Sequence, residues 1–292
     1  MPRGKQFLNC MLAILLIATS AINARAAGLD DGKNAPAPAS AACKPVYLTL
    51  DTGHMGVASF MADVLKRQQV TVTFFGANER THAGGDQKGS LGPEWASWWK
   101  ARAAEGHEFA SHTFDHTYWR ADVPGKPGEP MRFRVRPSAG TSEGNDATWT
   151  ARQYCEEIGK ASARLQEMTG QSTLPLFRAP GGKTSPALLN AAKACGYAHV
   201  GWSPAGFLGD ELPSSSHSNA ALLEKALRTI RSGDILLAHL GIWSRQDAWA
   251  PVVLEPLITG LKSRGFCFKT LREHPQYTGW LAQRAAVAPS GK

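Results

Sequence analysis

The chain has 292 residues, 43% hydrophobic and 19% charged, with a formal net charge of +8. These are ordinary globular values, and the length suits one large domain or two small ones with a sizeable core. The basic excess is scattered, with no dense Lys/Arg run. That argues against a nucleic-acid partner and leaves weak attraction to acidic surface polymers.

The N-terminus has the layout of a signal peptide. Arg3 and Lys5 precede an apolar run over 7–22, and Ala24-Arg25-Ala26 supplies the small residues a signal peptidase reads. The run is too short and interrupted for a membrane span. Loss of residues 1–26 removes Arg3, Lys5 and Arg25, delivers the protein to the periplasm or the exterior, and leaves no stable membrane span. Residues 27–42, rich in Ala and Pro, read as a flexible lead-in. A single domain is expected over 43–275, followed by a tail over 276–292.

Strand-like and helix-like segments then alternate. Strands are expected at 46–50, 70–75, 108–111, 174–177, 198–202, 235–238 and 266–268. Helices are expected at 57–67, 94–104, 152–168, 186–195, 220–231 and 251–263. Repeated strand–helix units imply a parallel sheet, open or closed into a barrel, because each crossover must cover a face. Two Gly- and Pro-containing stretches, 78–93 and 120–148, read as loops over one end.

The chemistry-bearing residues follow the strands. Asp51 lies in LTLDTGH, His112 and His116 in SHTFDH, Arg178 in LFRAPGG, Trp202 at the end of the 198–202 strand, and His239 in ILLAHLG. C-terminal strand ends in parallel α/β folds point to one shared face. His112 and His116, four apart, share a face if the segment turns helically, and can grip one borderline cation such as Zn²⁺. Asp51 is a candidate general base, His239 a candidate general acid, and Arg178 a group that orients or charge-tunes a carboxylate. Pro180-Gly181-Gly182 needs a tight turn and shapes the site rather than reacting. Some of the nine tryptophans, Trp243 among them, fall near the loops, where aromatics can stack on sugar faces; at least half belong in the core.

In this order the segments resemble the polysaccharide deacetylases of carbohydrate esterase family four, over most of 45–271. SHTFDH is similar to the family's H-[ST]-x-x-H; FRAPGG and ILLAH are similar to two further motifs. The resemblance implies a distorted (β/α) barrel of about seven parallel strands with helices outside. It also implies one divalent metal ion, Zn²⁺ first among candidates, and an acetylated polysaccharide as substrate. His112 and His116 would be ligands, Asp51 the base, His239 the acid and Arg178 the group that tunes Asp51. Pro180, Trp202 and Leu237 would contact substrate, Leu237 lining the acetyl pocket. Two departures stand out. Thr52 replaces the family's second motif-one aspartate, so Asp51, Thr52, His54 or a water is left as the third ligand. The fourth motif lacks its aspartate, and Asp210 is the candidate replacement.

The expected function is removal of N-acetyl groups from an amino-sugar polymer. The alternatives are an O-acetyl esterase and, because of Thr52, a catalytically silent carbohydrate-binding protein on the same fold. Beyond the leader, Cys43, Cys155, Cys195 and Cys267 remain. At most one bridge is expected among Cys43, Cys195 and Cys267, with Cys155 at the opposite end of the sheet and out of reach.

Overall fold

The computed structural model describes residues 43–82 and 89–287, so the expected leader and lead-in lie outside the described residues. From Cys43 onward these residues belong to one compact unit. Strand β1 (Lys44–Asp51) is central. Its first residues pair with β10 (Phe266–Phe268), and its last pair with both β2 (Thr73–Gly76) and β9 (Ile235–His239). The sheet continues through β3 (Glu108–Ser111), β7 (Leu176–Phe177) and β8 (Ala198–His199), every pairing parallel. It curls into a distorted barrel, as expected. Between β8 and β9 the seam is held by the Ser203 amide donating to the Ile235 carbonyl and by a bridge between Phe207 and Leu237.

Side chains alternate across each strand. On β1, Val46, Leu48 and Leu50 pack outward with α1 (Ala58–Arg67) and α6 (Trp249–Lys262). Tyr47 belongs to a separate inner cluster with Phe75, Ala110, Leu176 and Ile235. Continuing that inner period by twos reaches Asp51, His112, Arg178 and His239. Four chemically active side chains thus arise from one parity shared by five in-register strands.

The helices are capped by the expected chemistry. In α3 (Ala151–Thr169), Thr150 and Gln153 form a reciprocal capping box, and Gly170 closes the end in the left-handed region. Ser185 caps α4 (Pro186–Ala194), whose first position is proline, and Ser218 caps α5 (Asn219–Thr229). Helix α2 (Ala96–Ala104), which precedes β3, buries Trp99.

Three expectations need correction. The stretch 120–148, expected as a loop, carries most of an antiparallel sheet of β4 (Thr117–Val123), β5 (Arg132–Pro137) and β6 (Ala147–Thr150). Phe133 and Val135 bury against Tyr154, Ile158 and Leu188, which gives this wing its own apolar face. The expected tail over 276–292 is helical as far as Val287: α7 (Pro275–Val287) buries Tyr277 and Leu281 in the inner cluster. Finally, Cys43 bridges Cys267, but Cys155 also bridges Cys195, with Cα atoms 5.7 and 6.3 Å apart respectively. Nine residues of α4 span only about 14 Å, so its C-terminal end does not reach the far end of the sheet. It stops beside the second turn of α3, where the Cys155 sulfur lies 3.6 Å from the Ala191 carbonyl.

Candidate active site

The β1–β9 ladder places Asp51 directly opposite His239, on strands about 4.8 Å apart. Arg178, one residue past β7, is fully buried in the barrel. Its guanidinium donates to Asp51 Oδ1 at 2.6 Å and to Thr49 Oγ1 at 2.8 Å, and also reaches the carbonyls of Val200 and Gly201. The Phe75 ring lies 4.2 Å away beneath it. Four hydrogen bonds and the ring face thus fix the guanidinium, and it holds Asp51 in one orientation. Burial pushes the Asp51 carboxyl upward, but the charge and hydrogen bond of Arg178, with smaller help from the neighbouring imidazoles, outweigh it and hold the pKa below the usual value. Asp51 is therefore ionised at neutral pH.

His239 forms the second charged pair. Asp210 accepts from the His239 amide at 2.6 Å and lies 3.1 Å from its Nδ1. Burial alone would lower this pKa. The charge and hydrogen bond of Asp210, with smaller help from Asp51 and Glu211, overcome it and raise the value to about 9. Asp210, which came into question only as a stand-in within the fourth motif, is thus the partner of His239.

His112 presents a metal-ready imidazole. Its Nδ1 lies 2.8 Å from the Arg178 carbonyl, which places the proton on Nδ1 and turns the Nε2 lone pair toward Asp51 Oδ2 at 3.4 Å. Burial lowers its pKa to about 4, partly opposed by Asp51, so the ring is neutral. The His112 and His116 rings are 4.8 Å apart. The helical turn expected between them is absent: Thr113 and His116 adopt positive φ values of 61° and 45°. Such backbone is costly for non-glycine residues. It is held by Thr113 Oγ1 accepting from the Thr117 amide and by Glu157, which accepts from the amides of Phe114 and Asp115.

Other expected residues fall as follows. Thr52 is fully buried and its Oγ1 accepts from the Ala77 amide at 3.0 Å, a backbone-holding bond. His54 packs against His82 and Trp243, ring centroids 5.4 and 5.1 Å away, rather than against His112. Trp202 and Leu237 line the cleft, and Gly182 sits so close to the Trp202 ring that a side chain there would collide with it. Pro180, expected to contact substrate, is buried and is not among the residues lining the cleft. The cleft has a volume of about 600 Å³, with Asp51, His112, His116 and His239 in its floor and Trp243 on its rim, 60% exposed. A larger side cavity of about 740 Å³ shares Trp202 but holds none of these four groups.

Sequence reasoning missed Glu79 and Tyr118, which also line the cleft. Glu79 follows β2 and is pinned by two hydrogen bonds with Ser90. One of its oxygens lies 3.9 Å from His116 Nδ1, which sits 2.6 Å from Ser138 Oγ. Tyr118 stands edge-on to His116 at 5.0 Å. Among the described residues no three His, Cys, Asp or Glu groups already form a closed ion cage. The donors nonetheless fit a divalent cation in kind: a neutral imidazole with its second nitrogen tied back, a second imidazole beside it, and an ionised carboxylate.

Comparison with known proteins agrees with this arrangement. A family model described as polysaccharide deacetylase matches residues 39–200. A chitooligosaccharide deacetylase of Azorhizobium caulinodans is 24% identical over 77% of this chain and 92% of its own length. The peptidoglycan-N-acetylmuramic acid deacetylase PdaA of Bacillus subtilis is 28% identical over 78% of this chain and 70% of its own length. Among solved structures, a family 4 acetyl xylan esterase from Clostridium thermocellum, in complex with cobalt, shares the fold. Its TM-score is 0.58 at 23% identity, covering 81% of this chain and 92% of that one. With a family match over more than half its length and a deacetylase-like barrel around the cleft, the chain belongs to the polysaccharide deacetylase family.

Proposed function

We propose that this protein is a metal-dependent hydrolase that removes N-acetyl groups from an amino-sugar polymer. The observation that carries this reading is the pairing across the cleft floor: an ionised Asp51 held by Arg178 on one strand, and a protonated His239 held by Asp210 on the next. One group accepts a proton and the other donates one, which is what amide hydrolysis requires.

His112 and His116, with Asp51 beside them, would hold the ion, Zn²⁺ by preference of imidazole donors. When bound, such an ion supplies Lewis acidity to the acetyl carbonyl and lowers the pKa of water. The chain's own residues do the rest. Asp51 takes a proton from the attacking water, and Arg178 fixes the carboxylate that accepts it. His239 delivers a proton to the departing sugar amine, which turns a poor leaving group into a good one. Leu237 and Trp202 give the acetyl methyl an apolar seat that excludes bulk water. The products are acetate and a free amine on the polymer.

Acetate release from N-acetylated chito-oligosaccharides tests this. Activity is expected to disappear on chelation and return with added Zn²⁺, and to be abolished in Asp51→Asn and His239→Ala. Full rates in either variant would show the proton-transfer roles to be wrong. Oligosaccharide binding without acetate release would support the silent-protein reading that Thr52 suggests. Export to the periplasm or the exterior is proposed as well. Its supports are the leader-like N-terminus and two disulfides, which persist in oxidising compartments.

A further inference from the structure

The wing presents a face the proposed chemistry does not use. Along β5, Phe133, Val135 and Pro137 are buried while Arg132, Arg134 and Arg136 all point to solvent. In the antiparallel register with β4, Arg136 stands opposite Tyr118, Arg134 opposite Ala121 and Arg132 opposite Val123. Arg120, at the irregularity in β4, lies over the Tyr118 ring, 5.5 Å from its centroid. Tyr118 is the cleft residue that packs against His116. The arginine row therefore starts at the cleft wall and runs away from it.

The acidic side chains of the wing pair with only one member of the row, Arg136. Asp122 is turned to the Trp119 indole and the Ser185 hydroxyl. Glu143 pairs with Arg80 at 2.9 Å, and Glu129 accepts from the Lys126 amide within its turn. Asp146 pairs with Arg136 at 2.6 Å, although its field also reaches Arg134 and Arg120. Arg120, Arg132 and Arg134 are left with no ion-pair partner among the described residues. A face built for solubility alone mixes signs and uses lysine freely. This one repeats arginine every second position, about 6.8 Å apart. The planar guanidinium matches carboxylates with two parallel hydrogen bonds.

We infer that the exposed arginines of β4 and β5 form a subsite for sugar carboxylates, so that the polymer is acidic and bears carboxylates on residues flanking the acetylated sugar. This rests on the deacetylase reading and narrows its substrate. The test uses two probes of equal length: a neutral, fully N-acetylated chito-oligosaccharide, and the same oligomer oxidised at C6 to carboxylates. Binding to the purified protein is measured by tryptophan fluorescence in the presence of chelator, and acetate release is measured separately with Zn²⁺.

The carboxylated oligomer is expected to bind at least about ten-fold more tightly at low salt. The preference should shrink near 0.15 M ionic strength, where the screening length is about 8 Å. An Arg132→Gln/Arg134→Gln variant should lose it while binding the neutral oligomer unchanged. Equal binding of the two probes by the unaltered protein overturns the inference, as does a preference that survives in the double variant. So does a short polyphosphate that competes as strongly as the carboxylated oligomer, which would mark a general anion patch. If neither probe releases acetate yet the carboxylate preference stands, the deacetylase reading fails and the subsite survives. Acetate release from both at equal rates and affinities removes the subsite alone.

Discussion

Asp210→Asn isolates one charge with little change of shape. Asn retains an oxygen that can accept from the His239 ring and from its amide, so the imidazole keeps its place. What disappears is the negative charge that, after burial has pulled the other way, lifts His239 from the ordinary 6.5 to about 9. That lift corresponds to roughly 3 kcal/mol of preference for the imidazolium, at about 1.4 kcal/mol per unit. Without it, burial is opposed only by the weaker fields of Asp51 and Glu211, and His239 is expected to titrate well below its value in the parent protein. Imidazole NMR of labelled protein reads this directly, and the fall in deacetylase rate at alkaline pH should move to lower pH in the variant. Stability carries the same signature. Because the folded value is raised, the stabilisation is complete below about pH 6.5 and is lost as pH rises through about 9. The urea-unfolding gap between the parent protein and the variant should therefore be largest near pH 6 and close above pH 9. A His239 resonance that titrates at the same pH in both proteins would refute the pairing as the cause.

Other substitutions probe the scaffold around that pair. Arg178→Ala removes a fully buried cation and strands the Asp51 carboxylate, so a loss of about 3–5 kcal/mol is expected in urea unfolding, together with loss of activity. A smaller loss than about 1 kcal/mol would mean that water replaces the guanidinium. Gly53 has φ +134°, and a Cβ there would collide with the Gly241 carbonyl. Gly53→Ala should therefore displace the 51–54 turn and lower kcat more than it raises KM. A variant with parental kcat would show that the turn has slack. Replacing Cys155 and Cys195 with serine opens a loop of 40 residues. It should cost about 2–4 kcal/mol while leaving KM unchanged, because the bridge lies on the outer helices.

The barrel was legible because its signals are short-range and repetitive. Tyr47, Thr49 and Asp51 lie on one parity of an apolar strand, and a parallel sheet carries that parity from strand to strand into the cleft. The His112–His116 pair was legible in spacing but not in conformation. Two left-handed residues replaced the helical turn; one bond that holds them is local, from the Thr117 amide to Thr113 Oγ1, but the others come from Glu157 on α3, which spacing along the segment does not announce. The wing was hidden by its own turns. Gly and Pro around 124–130 and 137–144 mask the strict alternation of β5. Helix α7 was missed because its anchors, Tyr277 and Leu281, gain meaning only against the inner cluster. Glu79 could not be foreseen, since its reach to His116 depends on the path the chain takes after β2. The Cys155–Cys195 bridge depended on where the short α4 ends against α3.

The link between Cys43 and Cys267 has a topological consequence. It joins the first residue of the barrel to its last strand, so everything from 43 to 267 is a covalent macrocycle. A protease that nicks the wing or any surface loop once opens the ring without releasing a fragment. The two ends of the cut stay tethered through the sulfurs, at the effective concentration of a single molecule, and the severed halves of the cleft can close again.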